Sequence, residues 1–348
     1  RCSASLGRFA AGAGSPVPGA DRAGDFRARI RRGERRAIAR AITLVESARA
    51  DRQALGREIL DGLAAQTGGA LRVGLSGPPG VGKSSFIEAL GLRLIEAGNR
   101  VAVLAVDPSS PVSGGSILGD KTRMERLARS ERAFIRPSPS GGVLGGVAHR
   151  TREALLLCEA AGFQVVIVET VGIGQSEAAV RSMVDFFAVL LQPGAGDELQ
   201  GLKKGALELA DALVVNKADG EQQALALRAR AEFERALALL PARDAGWRPR
   251  VLAASAHTGE GVAEFWQCVQ EHHAAAQQSG VFAEQRRRQD REWLWTLLRE
   301  GLERAFLQAD GVAEQIARLE AAVAARQTTP AAAAAELLAR VDGPPARR

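Results

Sequence analysis

Two kinds of hydrophobic pattern alternate along the chain. Short apolar runs occur at 71–76 (LRVGLS), 101–106 (VAVLAV), 165–168 (VVIV), 186–191 (FFAVLL), 212–215 (ALVV) and 251–254 (VLAA). Between them lie helix-length segments with apolar residues every three or four positions, such as 84–97, 148–161 and 221–240. Strands that are apolar throughout, and not only at alternate residues, are buried on both faces, and the intervening helices supply the crossovers that parallel pairing needs. The pattern predicts an α/β fold with a mostly parallel central sheet. Such a sheet binds its ligands at the carboxyl ends of the strands.

Upstream, Ile38, Ile42 and Val45 mark one face of a helix within 34–46, and Leu55, Ile59 and Leu63 mark another. A helical hairpin is therefore expected over 26–70. After Gly259-Glu260-Gly261 the pattern is wholly helical: 261–276, 284–307 with Trp293, Trp295, Leu298, Leu302 and Phe306, then 311–325 and 330–341. Thr329 followed by Pro330 reads as an N-cap and first turn. The expected plan is a tail over 1–25, helices over 26–70, a nucleotide-binding domain over 71–275 and a helical extension over 280–345. The extension is too thin for its own core, so its tryptophans call for a second copy of the chain or for a lid-like position on the main domain.

At 348 residues and 46% hydrophobic, the chain can bury a sizeable core. It contains no run of eighteen apolar residues and no tripartite leader, so a soluble intracellular protein without a membrane partner is expected. Cys2, Cys158 and Cys268 are far apart with no CxxC, which argues against a disulfide framework and a thiolate metal site. The net charge of +6 raises nucleic acid as a partner, but the basic residues are scattered, tyrosine is absent and aromatics make up 4%, leaving few platforms for bases. No nucleic-acid partner is expected. The opening residues carry Arg, Ser, Gly and Pro with no acid before Asp21, as a disordered tail or a transit-peptide remnant would. Bacterial cytoplasm and mitochondrial matrix both stay open.

The chemistry begins at Gly77-Pro-Pro-Gly80-Val-Gly82-Lys83-Ser84-Ser85, a G-x-x-x-x-G-K-S match between a strand and a helix. There the backbone N–H groups cradle phosphates, Lys83 neutralises their charge and Ser84 offers a hydroxyl to Mg²⁺. Asn216-Lys217-Ala218-Asp219 follows another strand and resembles the NKxD element, whose carboxylate accepts from the guanine ring N–H and amino group. Adenine has no such donor pair, so GTP and GDP are the expected nucleotides. Ser255-Ala256 follows the next strand, where backbone contacts to the guanine oxygen are expected.

Asp107 and Asp120 bound a Gly- and Ser-rich segment that suits a switch around Mg²⁺. Glu169, with Gly172 three residues later, occupies the slot of the aspartate in D-x-x-G and reaches one methylene further toward the metal. Gln175 is a candidate for orienting the attacking water. Asp197, Glu198 and Lys203 lie in a glycine-bounded loop, 192–205, suited to switching and partner contact.

These stretches, GLSGPPGVGKSSFIEALG, VLAVDPSSPVSGGSILGDKTRM, ETVGIGQSE, PGAGDELQGLKKG and NKADG, resemble the SIMIBI-class P-loop GTPases of the MeaB and ArgK group, which includes the methylmalonic aciduria type A protein. The resemblance runs from about residue 37 to beyond 306. It implies a GTPase chaperone of an adenosylcobalamin-dependent acyl-CoA mutase, with a cobalamin adenosyltransferase as a further partner and a homodimer formed through the C-terminal helices. It also implies that Lys83, Ser84, Asp107, Asp120 and Glu169 surround MgGTP, while Asp197 and Lys203 couple to the mutase. The D-x-H-x-x-G cobalt motif is absent and His149, His257, His272 and His273 form no convincing site, so no directly bound cobalamin is expected. The adjacent His272 and His273 read as a polar helix face. The alternative is a kinase of a basic amino-acid transport system using the same P-loop.

Overall fold

The computed structural model describes residues 22–47, 49–106, 124–136, 144–170, 176–194, 208–238 and 246–339, with side chains from 149 and 177 onward in the segments that open at 144 and 176. Asp107, Asp120, Gly172, Gln175, Asp197, Glu198 and Lys203 lie outside them. The described chain divides into two compact units, one ending at Phe282 and one beginning at Ala283.

The first unit is built on β1 (Leu71–Ser76), β2 (Val101–Val106), β3 (Ala133–Arg136), β4 (Val165–Thr170), β5 (Phe186–Leu191), β6 (Ala212–Val215) and β7 (Arg250–Ala253). They form one sheet in the order β3-β2-β4-β1-β5-β6-β7, and every pairing is parallel. This is the P-loop NTPase architecture. The apolar strands are continuous because each of their two faces meets a different core. Val73, Leu75, Val103, Ile167, Phe186 and Leu190 pack with Phe86, Ile87, Phe265 and Val269 of α4 (Lys83–Glu96) and α9 (Val262–Gln278). Ala102, Leu104, Val166, Val168, Phe187 and Val189 point the other way, into a core shared with α1 (Arg22–Arg31), α2 (Arg35–Val45), α6 (Leu144–Ala160) and α8 (Gln223–Ala238).

Among the described residues three α-helices precede the sheet, α3 (Ala50–Asp61) being the third, where the spacing predicts two. The additional one, α1, buries Ala23, Phe26 and Ile30 on one face and carries arginines on the rest, a stripe too narrow to stand out by composition. The short α5 (Glu125–Arg129) and the edge strand β3 are likewise not predicted. A further helix of this unit is α7 (Ser176–Arg181). Beneath β1 the Arg72 guanidinium makes a two-pronged pair with Glu159 of α6, at 2.7 and 2.9 Å, and the Gly68 N–H donates to the same carboxylate at 2.7 Å. Both side chains are buried.

His272 is not on a polar face. Its ring packs edge-on against Phe186 and Trp247, and burial lowers its pKa. Cys158 and Cys268 are buried free thiols, pushed up in pKa by burial, Cys268 to about 12.

In the second unit, α10 (Val281–Leu307, which starts in the first) is followed by α11 (Val312–Ala324) and α12 (Pro330–Leu338). Thr329 caps α12 by accepting from the Ala332 N–H at 3.2 Å. Arg318 of α11 pairs with Glu336 of α12. Leu294, Trp295, Leu298 and Leu302 of α10 and Leu338 of α12 are exposed. Among the described residues, no helix is long and apolar enough to cross a membrane.

Candidate nucleotide site

At the carboxyl edge of the sheet, β1 runs into the turn Gly77–Gly82 and straight on into α4. Two glycines of this turn are required by their surroundings. Gly77 has φ +150° and a Cβ there would lie 2.5 Å from the Leu190 carbonyl oxygen, while Gly82 has φ +92° and a Cβ there would lie 2.7 Å from Asn216 Nδ2. With those positions bare, the loop hugs β5 and β6 and its N–H groups stand at the N-terminus of a 14-residue helix, where the helix dipole favours an anion.

Lys83 is buried, and its ammonium donates to the Gly77 and Pro78 carbonyls at 2.7 and 3.1 Å, which fixes a positive charge inside the loop. The next residue, Ser84, donates its hydroxyl to Glu169 Oε1 at 3.2 Å. Glu169 is 5% exposed and sits one residue before the end of β4, beside Leu75 of β1 and Ala105 of β2 in register. Its longer side chain spans from β4 to the first turn of α4. The strand continues to Thr170, one residue past Glu169, and the Thr170 hydroxyl donates to Ser76 Oγ at 2.8 Å. A serine hydroxyl beside a buried carboxylate is a hard, all-oxygen donor set, the kind that suits Mg²⁺.

The loops after β6 and β7 are joined to this centre by one side chain. Asn216, 1% exposed, donates from Nδ2 to the Val81 carbonyl at 2.8 Å and accepts at Oδ1 from the Ala256 N–H at 3.2 Å. It thereby clamps the phosphate loop, the loop after β6 and the loop after β7 together. Lys217 follows with φ +61°, unusual for a residue with a side chain, and Ala218 donates to the Ala254 carbonyl at 3.0 Å. Ser255 is fully buried; its Oγ accepts from the Thr258 N–H at 3.1 Å and its carbonyl from the Gly259 N–H at 2.9 Å. The turn is completed at Gly261, where a Cβ would be 2.1 Å from the Ala253 carbonyl oxygen.

Between these loops lies a cavity of about 540 Å³, lined among others by Gly82, Ser85, Asn216, Lys217, Asp219 and Ala256. The structure brings together Gly77, Gly80, Gly82, Lys83, Ser84 and Glu169 around the turn after β1, and Asn216, Lys217, Asp219, Ser255 and Ala256 around the loops after β6 and β7. Glu88, Arg126, Gln222 and His257 also line the cavity and are not predicted by the sequence motifs. Glu88 was legible in principle, one helical turn beyond Ser84.

Comparison with known proteins decides what kind of site this is. Residues 38–310 match the family model described as "Methylmalonyl Co-A mutase-associated GTPase MeaB". The chain belongs to the MeaB family. It is 55% identical over 311 residues to a putative GTPase of Caulobacter vibrioides, covering 89% of this chain and 95% of that one. It is 53% identical over 266 residues to the GTPase ArgK of Escherichia coli, covering 76% and 80%. The mouse "Methylmalonic aciduria type A homolog, mitochondrial" is 47% identical over 317 residues, covering 88% and 76%. Among solved structures, that of a protein described as "LAO/AO transport system kinase" superposes with a TM-score of 0.74 at 39% identity, covering 94% of this chain and all of that one. A MeaB-family chain is a P-loop GTPase.

Proposed function

We propose that this MeaB-family GTPase turns GTP into GDP and phosphate as the chaperone of an adenosylcobalamin-dependent acyl-CoA mutase, methylmalonyl-CoA mutase first among them. Its GTP state would gate cofactor loading, received from a cobalamin adenosyltransferase, and protect the mutase. The observation that carries the nucleotide half of this reading is the Asn216 clamp, which sets Asp219 and Ala256 in one cavity with the phosphate loop. The names of the family and of the mouse relative support the mutase half.

In this reading Asp219 accepts from the guanine N–H groups, the Ala256 backbone meets the guanine oxygen, and the Gly77–Ser85 loop with Lys83 binds the phosphates. Ser84 and Glu169, with Asp107 and Asp120, would hold Mg²⁺, which neutralises charge on the transferred phosphoryl group. Gly172 and Gln175 are assigned to sensing the γ-phosphate and orienting water, and Asp197, Glu198 and Lys203 to coupling with the mutase. The exposed row Leu294, Trp295, Leu298 and Leu302 supports a homodimer through the C-terminal helices. A cytoplasmic setting in a bacterium, or the mitochondrial matrix in a eukaryote, fits the mitochondrial designation of the animal relatives. No directly bound cobalamin is part of this assignment.

The test is phosphate release by the purified protein from GTP and from ATP, with and without methylmalonyl-CoA mutase of the same source. GTP-selective turnover that rises with the mutase is expected. Turnover indifferent to any acyl-CoA mutase would remove the chaperone role, and a phosphorylated protein product would favour the kinase reading suggested by the name of the solved relative.

A further inference from the structure

One wall of the nucleotide cavity comes from a segment that none of the recognised motifs includes. Glu88 stands on α4 one turn beyond Ser84, and its Oε1 accepts from the Arg126 N–H at 2.8 Å and the Leu127 N–H at 3.3 Å. That single carboxylate fastens the first turn of α5 onto α4. Leu127 locks the join from below. It is fully buried over Gly91, where a Cβ would lie only 2.7 Å from Leu127 Cδ2. The Arg126 backbone is therefore held against α4 at two points, while its exposed side chain lines the cavity with Lys217, Asp219 and His257. Among the described residues no hydrogen bond or ion pair engages its guanidinium.

The position along α4 says which part of a nucleotide Arg126 meets. Phosphate binds at Gly82–Ser84, and the cavity then follows α4 outward through Ser85, Glu88, Ala89 and Leu92. Glu88 lies about 9 Å along the helix from Gly82, at 1.5 Å per residue. That is the distance of the sugar and base from the outer phosphates, not of the phosphates themselves. A planar guanidinium beside a purine stacks on its π-face, and it carries donors for ribose or base-edge oxygens.

We propose that Arg126 is a nucleotide-contacting residue that covers the base and ribose of bound GTP or GDP, and that Glu88 is the positioning residue that holds it there. The assignment rests on the guanine-nucleotide reading of the cavity and adds a contact that is blind to the γ-phosphate. A guanidinium at this place strengthens GTP and GDP binding equally, so it sets affinity without biasing the switch.

The experiment is titration of the full-length protein with GDP and with a non-hydrolysable GTP analogue, for wild type, Arg126→Ala, Arg126→Lys, Glu88→Ala and Glu88→Gln. Arg126→Ala should weaken both nucleotides by the same factor, roughly 3- to 30-fold, the range of a cation–π contact. Arg126→Lys should recover little, because it keeps the charge and loses the plane. Glu88→Ala should show part of the loss, and Glu88→Gln, which retains an acceptor oxygen, should restore most of it. Thermal unfolding of the nucleotide-free variants should stay at the wild-type temperature for both Arg126 substitutions, which separates a lost contact from a lost fold. Wild-type affinity in Arg126→Ala, or a loss confined to the GTP analogue, overturns the assignment. Failure of the wild-type protein to bind either guanine nucleotide would instead overturn the reading of the cavity itself.

Discussion

At the scale of single residues, the proposed function assigns some groups to phosphate and others to the base, and substitutions should separate them. Lys83 places its charge inside the phosphate loop, held by the Gly77 and Pro78 carbonyls. Lys83→Ala is expected to abolish GTP binding, read as loss of nucleotide protection in thermal unfolding. Asp219 lines the cavity at its other end. In Asp219→Asn a donor faces the guanine donors where an acceptor stood, so GTP affinity should fall by roughly 100-fold, the effect of losing one charge-assisted hydrogen bond and opposing two donors. Xanthosine triphosphate, which presents an oxygen there, should bind the variant better than GTP does. Equal preference for GTP in both proteins would contradict the role of Asp219.

Elements carry the next set of consequences. The pair Arg72–Glu159 joins β1 to α6 below the site, with both charges out of water. Glu159→Ala leaves the guanidinium buried without its carboxylate and should cost about 3–5 kcal/mol in denaturant unfolding. The double substitution Arg72→Met with Glu159→Leu should cost clearly less, because no charge is stranded. Further along α6, burial pushes the Glu153 carboxyl up from 4.5 to about 7, against the lowering influence of Arg57 and Arg150 and reinforced by Glu46; His149 lies 3.5 Å away. The folded protein binds this proton more tightly than the unfolded chain, so the stabilising contribution is complete below pH 4.5 and is lost as pH rises through 7. Glu153→Gln should therefore gain stability over wild type by up to about 3 kcal/mol at pH 8.5 and almost none at pH 4. A gain independent of pH would show that the Glu153 carboxyl titrates alike in the folded and unfolded chain.

Elements also show where a sequence stops being legible. Strands β1, β2, β4, β5 and β6 announce themselves because both faces are buried, and the edge strand β7 does so by the unbroken apolar run 251–254. β3 does not, because its apolar stretch is only Ala133–Ile135, closed by Arg136, which pairs with Glu46. The site residues of the phosphate loop and of the 216–219 and 255–256 loops are readable because their chemistry needs those residue types in that order. Arg126 has no such mark. The Glu88 carboxylate, 38 positions away, and the packing of Leu127 over Gly91 bring its segment to the cavity. His272 misled for the same reason, since nothing local signals that Phe186 and Trp247 will surround it.

For the whole molecule, the C-terminal unit has more apolar surface than it covers. Its own cavity of about 760 Å³ is lined by Leu302, Phe306, Val312 and Leu338, beside the exposed Trp295 and Leu298. Leu298→Glu together with Leu302→Glu should turn the proposed homodimer into a monomer in light scattering, with the far-UV helical signal retained. A monomeric wild type would remove the dimer assignment.

The strand order has a consequence for how the protein is made. β1 leaves the ribosome early but is flanked in the finished sheet by β4 and β5, and its Arg72 N–H waits for Asp185, 113 positions later. The turn 77–82 is therefore translated long before Leu190 and Asn216, against which it packs, and a nascent chain released ahead of β5 lacks both. If the cavity takes guanine nucleotide as proposed, that nucleotide can act as a folding ligand only after the loops following β6 and β7 have emerged, so its supply should affect yield only late in synthesis.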